Sequence, residues 1–197
     1  MKKRFLIFLI VLLAAGCGPP RISNQDIHFE NELFSVDYPK NWIFAPEKQK
    51  TDFGLNFYGV KSVGFVLKDE NYPRYYITIK VLEKQKDMFK DFIAGTSLDE
   101  SAMQFIAAMK SFYSREGFSV TDNPTNMSDI LFNGIDAKLI SLGVKNQTGK
   151  ISFDSNSIFF IYFGRQYQIT YAIYPEFKNI TRGRIESIIY SIKPRNN

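Results

Sequence analysis

The spacing of apolar residues changes along the chain, and each change marks an element. Phe5 to Ala15 is an unbroken apolar run behind Lys2, Lys3 and Arg4. Period-two alternation begins at Leu33-Phe34-Ser35-Val36-Asp37-Tyr38-Pro39. Phe34, Val36 and Tyr38 share one face there, and Pro39 ends the strand because it cannot donate to a ladder. Trp42-Ile43-Phe44 reads as a second short strand after a Pro39-Lys40-Asn41 turn. Val63 to Leu67 is a third. Tyr75 to Leu82 sets Tyr75, Ile77, Ile79 and Val81 against Tyr76, Thr78, Lys80 and Leu82, a strand with one drier face.

The period then lengthens. Ser97-Leu98-Asp99-Glu100 has the spacing of a capping box, in which the serine hydroxyl and the glutamate carboxylate satisfy each other's backbone donors. Leu98, Ala102, Phe105, Ile106, Met109, Phe112 and Tyr113 recur at three and four residues, and Gly117 stands where a helix terminator belongs. This aromatic and methionine stripe is read as core rather than as a ligand groove. Strand signals resume at Phe118 to Thr121 and Asp129 to Phe132. Asn133-Gly134 supplies the two positive-φ residues of a tight hairpin, whose second strand is Ile135 to Val144.

Ser157 to Phe163 and Tyr167 to Tyr174 read as a further hairpin around Gly164-Arg165-Gln166. Its face of Tyr167, Ile169, Tyr171 and Ile173 is apolar, while Gln168 and Thr170 occupy the other, so it is expected to be half buried. Glu176 to Tyr190 carries isoleucines at imperfect helical spacing, then Ser191-Ile192-Lys193 precedes Pro194. Strands, helix, antiparallel hairpins and helix in that order define an α+β fold: a central antiparallel sheet flanked by helices.

The apolar leader does not extend this fold. Eleven residues of helix are too short to span hydrocarbon, and Gly18-Pro19-Pro20-Arg21 stops any extension. Leu13-Ala14-Ala15-Gly16-Cys17 resembles a bacterial lipoprotein signal. The resemblance implies removal of residues 1–16 and acylation of Cys17, which becomes the first residue. One acyl chain anchors marginally, but each buried methylene contributes about 0.8 kcal/mol, so two or more hold a protein at the membrane. Gly18 to Asp26 reads as a tether reaching about 30 Å when fully extended. Residues 17–25 are thus anchor and tether, and 26–197 a single globular domain, a length suited to one core.

Removal of the leader also changes the electrostatics, since losing its three cations takes the formal charge from +5 to +2. A mildly basic chain without a clustered Lys and Arg stripe gives no reason to expect nucleic acid. Cys17 is the only cysteine, so its acylation leaves no thiol for a disulfide, a nucleophile or a metal cluster.

Candidate chemistry downstream is sparse. His28 is the only histidine and would have to serve any Ser-His-Asp relay from beside the tether. Asp69-Glu70 and Asp122 with Asp129 are acids without the spacing of a cation loop. Gly54, Gly59 and Gly64 do not lead into a phosphate-binding helix start. Lys84, Lys86 and Lys90 are interleaved with Glu83, Asp87 and Asp91, and Lys48 and Lys50 stand elsewhere, so these read as solvated faces before anionic-headgroup contacts. Arg74-Tyr75-Tyr76 and Arg165-Gln166-Tyr167 fit either an interface or cross-strand packing. No catalytic residue, metal site or cofactor is expected.

Phe34-Ser35-Val36-Asp37-Tyr38-Pro39-Lys40-Asn41-Trp42 resembles the opening of PsbP-like domains, an aromatic, small, apolar start running to Tyr-Pro and Trp. The hairpin around Gly164, the helix after Pro175 and Ile188-Ile189-Tyr190-Ser191-Ile192-Lys193 resemble that family's close, with Ile192 in place of the usual aromatic. The resemblance spans about Asp26 to Lys193. It implies a PsbP-like α/β/α sandwich and a non-enzymatic module that binds or assembles proteins at membranes. The expectation is therefore an envelope lipoprotein, membrane-held through Cys17 on the exoplasmic or periplasmic face, with a protein partner. The alternative is a carrier of a small apolar ligand or lipid, with Phe159, Tyr162, Tyr167 and Tyr171 walling an aromatic pocket between sheet and helix. An envelope hydrolase ranks last.

Overall fold

A computed structural model describes residues 26–46, 62–71, 75–82, 97–121 and 127–196. Cys17, the leader and the tether up to residue 25 lie outside them, as do Lys48, Lys50, Gly54, Gly59, Arg74, Lys84, Lys86, Lys90 and Asp122.

The chain forms β1 (Asp26–Glu30), β2 (Phe34–Pro39), β3 (Trp42–Pro46), β4 (Ser62–Asp69), β5 (Tyr76–Leu82), α1 (Leu98–Arg115), β6 (Ser119–Val120), β7 (Met127–Phe132), β8 (Ile135–Lys145), β9 (Ile151–Tyr162), β10 (Arg165–Ile173), a short 3-10 turn, α2 (Lys178–Ser191) and β11 (Lys193–Pro194). The large sheet runs β3-β4-β5-β10-β9-β8-β6, with β7 also on β8, and a small sheet runs β1-β2-β11. Every pairing is antiparallel.

The two faces of the large sheet have different covers. On one, Ile77, Ile79 and Val81 of β5, Phe160 of β9 and Tyr167 and Ile169 of β10 pack with Phe34 and Val36 of β2 and Ile185, Ile188 and Ile189 of α2. On the other, Ile140, Leu142 and Val144 of β8 and Phe159 of β9 pack against Ala102, Phe105, Met109 and Tyr113 of α1. The expected helix-flanked sandwich is therefore only coarsely right. The fold is dominated by sheet, and α2 shares its layer with the three-stranded sheet.

Local chemistry places these elements. Ser97 Oγ accepts from Glu100 N–H at 3.2 Å and Glu100 Oε2 accepts from Ser97 N–H at 3.1 Å, so the capping box forms as read. Gly117 ends α1 at φ +79°, and Asn133 and Gly134 adopt φ of 50° and 80° in the β7–β8 hairpin.

Three boundaries differ from the sequence reading. The β9–β10 turn is Phe163-Gly164, with φ of 47° and 74°; Arg165 is already paired with Tyr162, so Arg165 and Gln166 are strand and not loop. Asp26 belongs to β1, opposite Pro39, rather than to the tether. Strand β9 starts at Ile151, six residues before the expected Ser157, because its polar first half pairs with β8. The hairpin is also covered on both faces, since Gln168 is as enclosed as Tyr171.

Candidate functional site

Strand alternation decides which side chains meet. Phe159 pairs with Gln168, whereas Phe160 pairs with Tyr167. Phe159 therefore faces α1, while Tyr162, Tyr167 and Tyr171 face the opposite layer, and the four residues of the expected aromatic wall do not line one pocket. Tyr167 stacks on Phe160 at 4.9 Å and donates its phenol proton to Leu33 O at 2.9 Å. Burial pushes its pKa up, so it is a structural donor. Arg165, two residues earlier on the same strand, interacts with the Tyr167 phenol and acts against that rise.

The α1 face carries a crevice. Its floor is Tyr76, Thr78 and Lys80 of β5 with Gln168 and Thr170 of β10, and its wall is Phe105 and Met109 of α1. These strands place it by register, since Thr170 is opposite Thr78 and Gln168 opposite Lys80. Gln168 Nε2 donates to Thr170 Oγ1 at 3.1 Å, and Thr170 Oγ1 lies 2.9 Å from Ser157 Oγ. Burial, with Tyr113 and Tyr174 nearby, raises the pKa of Tyr76; burial likewise raises that of Tyr113, against a lowering hydrogen bond from Ser155. Both phenols stay neutral at ordinary pH. The crevice leaves about 30 Å³ for solvent. Sites for drug-sized molecules occupy about 300 Å³ or more, so it admits a small group and not a lipid.

The residues singled out for catalysis are distributed differently. His28 Nδ1 lies 2.6 Å from Asp37 Oδ1 and Nε2 lies 3.2 Å from Glu30 Oε2, on the exposed side of β1 and β2. Glu30 also binds Arg195. Ser191 is close in space, but its Oγ accepts from Asp37 N–H at 2.9 Å and lies 2.7 Å from Ile188 O, the carbonyl to which it donates. Ser191, His28 and Asp37 are thus neighbours that tie α2 and β1 to β2, with the hydroxyl directed at backbone and not at the imidazole.

The acids are similarly committed. Asp69 is buried, accepts from Asn71 N–H at 2.9 Å and lies 3.9 Å from Arg184 Nη1, an arrangement that closes the β4 end. Asp129 pairs with Lys138 at 2.7 Å, and Asp99 with the same ammonium at 2.6 Å. Among the described residues no three His, Cys, Asp or Glu side chains converge on a metal-sized site. None of the described helices is long and apolar enough to cross a membrane. Sequence reasoning missed Thr78, Lys80, Gln168 and Thr170 as a group, having placed them on the wetter side of their strands.

With this geometry in view, the chain can be set beside known proteins. No protein-family model matches it, and no curated protein matches its sequence. Among solved structures it is similar to cyanobacterial PsbP, CyanoP, from Synechocystis sp. PCC 6803. The TM-score is 0.62 at 12% identity, over 91% of this chain and 97% of that one. It is also similar to a crystal structure from Bacteroides thetaiotaomicron, at TM-score 0.50 and 12% identity, covering 88% of this chain and spanning 50% of that one. The architecture is PsbP-like. At this identity the likeness carries the fold alone.

Proposed function

We propose that this chain is an exported lipoprotein, anchored through Cys17, whose PsbP-like domain binds or assembles a protein partner at the exoplasmic or periplasmic face of a bacterial membrane and catalyses no reaction. The observation that carries the binding reading is the placement of large apolar side chains at the hairpin ends. Phe163, in the β9–β10 turn, is 63% exposed, and Leu131, next to the β7–β8 turn, is 70% exposed. Single exposed apolar residues are ordinary, but bulky ones placed at the turns of two hairpins whose strands β8 and β9 pair are suited to contact with another protein. The commitment of His28, Asp37, Ser191 and Asp69 to structural contacts supports a module without catalysis. The divided aromatic residues and the small crevice weigh against the carrier.

Two measurements test this. Mass spectrometry of the membrane form is expected to find the mature chain starting at an acylated Cys17, and Cys17→Ala to release the protein from membranes; an unmodified Cys17 would refute the anchor. A photo-crosslinking amino acid at position 163 is expected to yield one reproducible protein adduct in native membranes. Adducts to lipid alone, or none, would refute the partner.

A further inference from the structure

We propose that the outer edge of β7 is a strand-addition site, where an extended segment of the protein partner pairs antiparallel with β7 and presents a basic and an apolar side chain to it. The inference rests on the partner-binding reading and gives that partner a form.

The hairpin geometry decides which backbone groups face outward. Asn133 and Gly134, both at positive φ, make a two-residue turn, so the Phe132 carbonyl accepts from the Ile135 N–H. Bonded and non-bonded pairs alternate along an antiparallel ladder. Phe132, Ile130 and Ser128 therefore bond to Ile135, Ala137 and Leu139, while Met127, Asp129 and Leu131 turn their N–H and C=O groups away from β8. No described strand lies on that side, and no backbone bond among the described residues reaches those groups from there. Such a row is a template for another strand.

The other edges are blunted. Strand β3 ends in Pro46, β11 contains Pro194, β6 has two residues, and β1 carries Asp26, His28 and Glu30 among its five. By contrast, β7 has six residues without proline, pairs without a bulge and holds one charge.

Side chains set the chemistry of the added strand. Asp129 and Leu131 lie on the α1 side of the sheet, as does Asp136, which is opposite Leu131. Asp129 and Asp99 share the Lys138 ammonium, and the Asp129 side chain is still 84% exposed. Three carboxylates against one ammonium leave an excess of negative charge at this corner. A second copy paired edge to edge would bring two such corners together, which like charges disfavour. A strand with lysine or arginine opposite Asp129 and an apolar residue opposite Leu131, two positions away on the same face, complements both.

The test is a nuclear magnetic resonance titration of the isotope-labelled mature chain with an eight-residue peptide, lysine and valine in turn at odd positions and threonine at even ones. One control is N-methylated at the lysines and valines, whose amides face β7 in antiparallel pairing. The other has glutamate for lysine. Saturable shifts at Met127, Asp129 and Leu131 and slowed exchange of the Asp129 and Leu131 amides are expected, with each control binding about tenfold more weakly or worse. Leu131→Pro removes an outward N–H that β8 does not use, and is expected to weaken the lysine peptide about tenfold. Asp129→Lys is expected to reverse the preference between lysine and glutamate peptides, which keeps the test valid should the proline variant fail to fold. No saturable shift at millimolar concentration, equal binding of either control, or an unchanged preference in Asp129→Lys would overturn strand addition. The crosslink at position 163 separates the two readings. A protein adduct that persists undiminished in Leu131→Pro overturns strand addition and leaves the partner standing, whereas no protein adduct in the otherwise unaltered chain overturns the partner itself.

Discussion

Replacing Tyr167 by Phe removes a single hydroxyl from the centre of the fold, and the structure sets how much that costs. The ring is fully buried and nearly parallel to Phe160, at an interplanar angle of 2°. Its phenol joins β10 to the segment between β1 and β2 through Leu33 O. A net protein hydrogen bond is worth about 1 kcal/mol, whereas leaving its buried partner unsatisfied adds about 1–3 kcal/mol. The second cost is absent here, because the Arg195 N–H donates to the same Leu33 carbonyl at 2.9 Å. Tyr167→Phe is therefore expected to lose about 1 kcal/mol. Tyr167→Ala also removes the ring and leaves a cavity between β9, β10 and the covering layer, and is expected to lose about 3–5 kcal/mol. Urea unfolding with an unchanged slope measures both. A loss above about 3 kcal/mol for the Phe variant would refute the claim that Arg195 keeps Leu33 satisfied.

Other expectations follow from named contacts. Ser97→Ala breaks the capping box of α1 and should lower stability by about 1 kcal/mol in thermal unfolding, and no loss would mean that the cap is not formed. Two glycines should respond with opposite signs. Gly134→Ala must hold φ near +80° and should lose about 1–2 kcal/mol, while Gly183→Ala, in α2 with open space around its Cβ position, should gain about 0.5–1 kcal/mol; equal signs would refute the assignment. Tyr171 is held above its usual value of 10.0 at about 12, chiefly by burial. The folded state keeps that proton longer than the unfolded chain, so its contribution is intact below pH 10 and lost as pH rises toward about 12, on the order of 3 kcal/mol. Tyr171→Phe should flatten this alkaline fall in unfolding followed against pH, and an unaltered fall would assign it elsewhere.

The elements that were legible in the sequence are those whose signal is local. The Ser97 box, the Asn133-Gly134 turn and the α1 stripe each depend on residues within one turn of helix or one hairpin, and each forms as read. The β9–β10 turn was misplaced because Phe163 takes a left-handed conformation that a bulky aromatic rarely adopts, and the nearby glycine drew the reading toward Arg165. Strand β1 escaped because Asp-Ile-His-Phe-Glu offers only two apolar positions. Its register on β2 and the packing of Phe29 against Phe44 at 4.0 Å make it a strand. The polar first half of β9 escaped for a similar reason, since partner strands and not its own pattern enclose Ser155 and Asn156.

The crevice shows why the candidate site was harder to read than the fold. Alternation along β5 and β10 separates Tyr76, Thr78 and Lys80 from Ile77 and Ile79, and Gln168 and Thr170 from Tyr167 and Ile169. In a sheet covered on one side, that pattern means dry and wet faces. Here the apolar stripe of α1 requires a partner surface of its own, and the face holding Phe105 and Met109 can find it only on the polar side of the same sheet. The second cover converts wet positions into enclosed ones without changing a residue. Thr78 and Gln168 thereby become nine-tenths buried while keeping the chemistry of surface residues. An amphipathic helix with no other sheet face to occupy was therefore the available signal. That signal points to the enclosed polar groups and was not used, whereas residue types associated with catalysis led to His28 and Asp69, which hold the chain together.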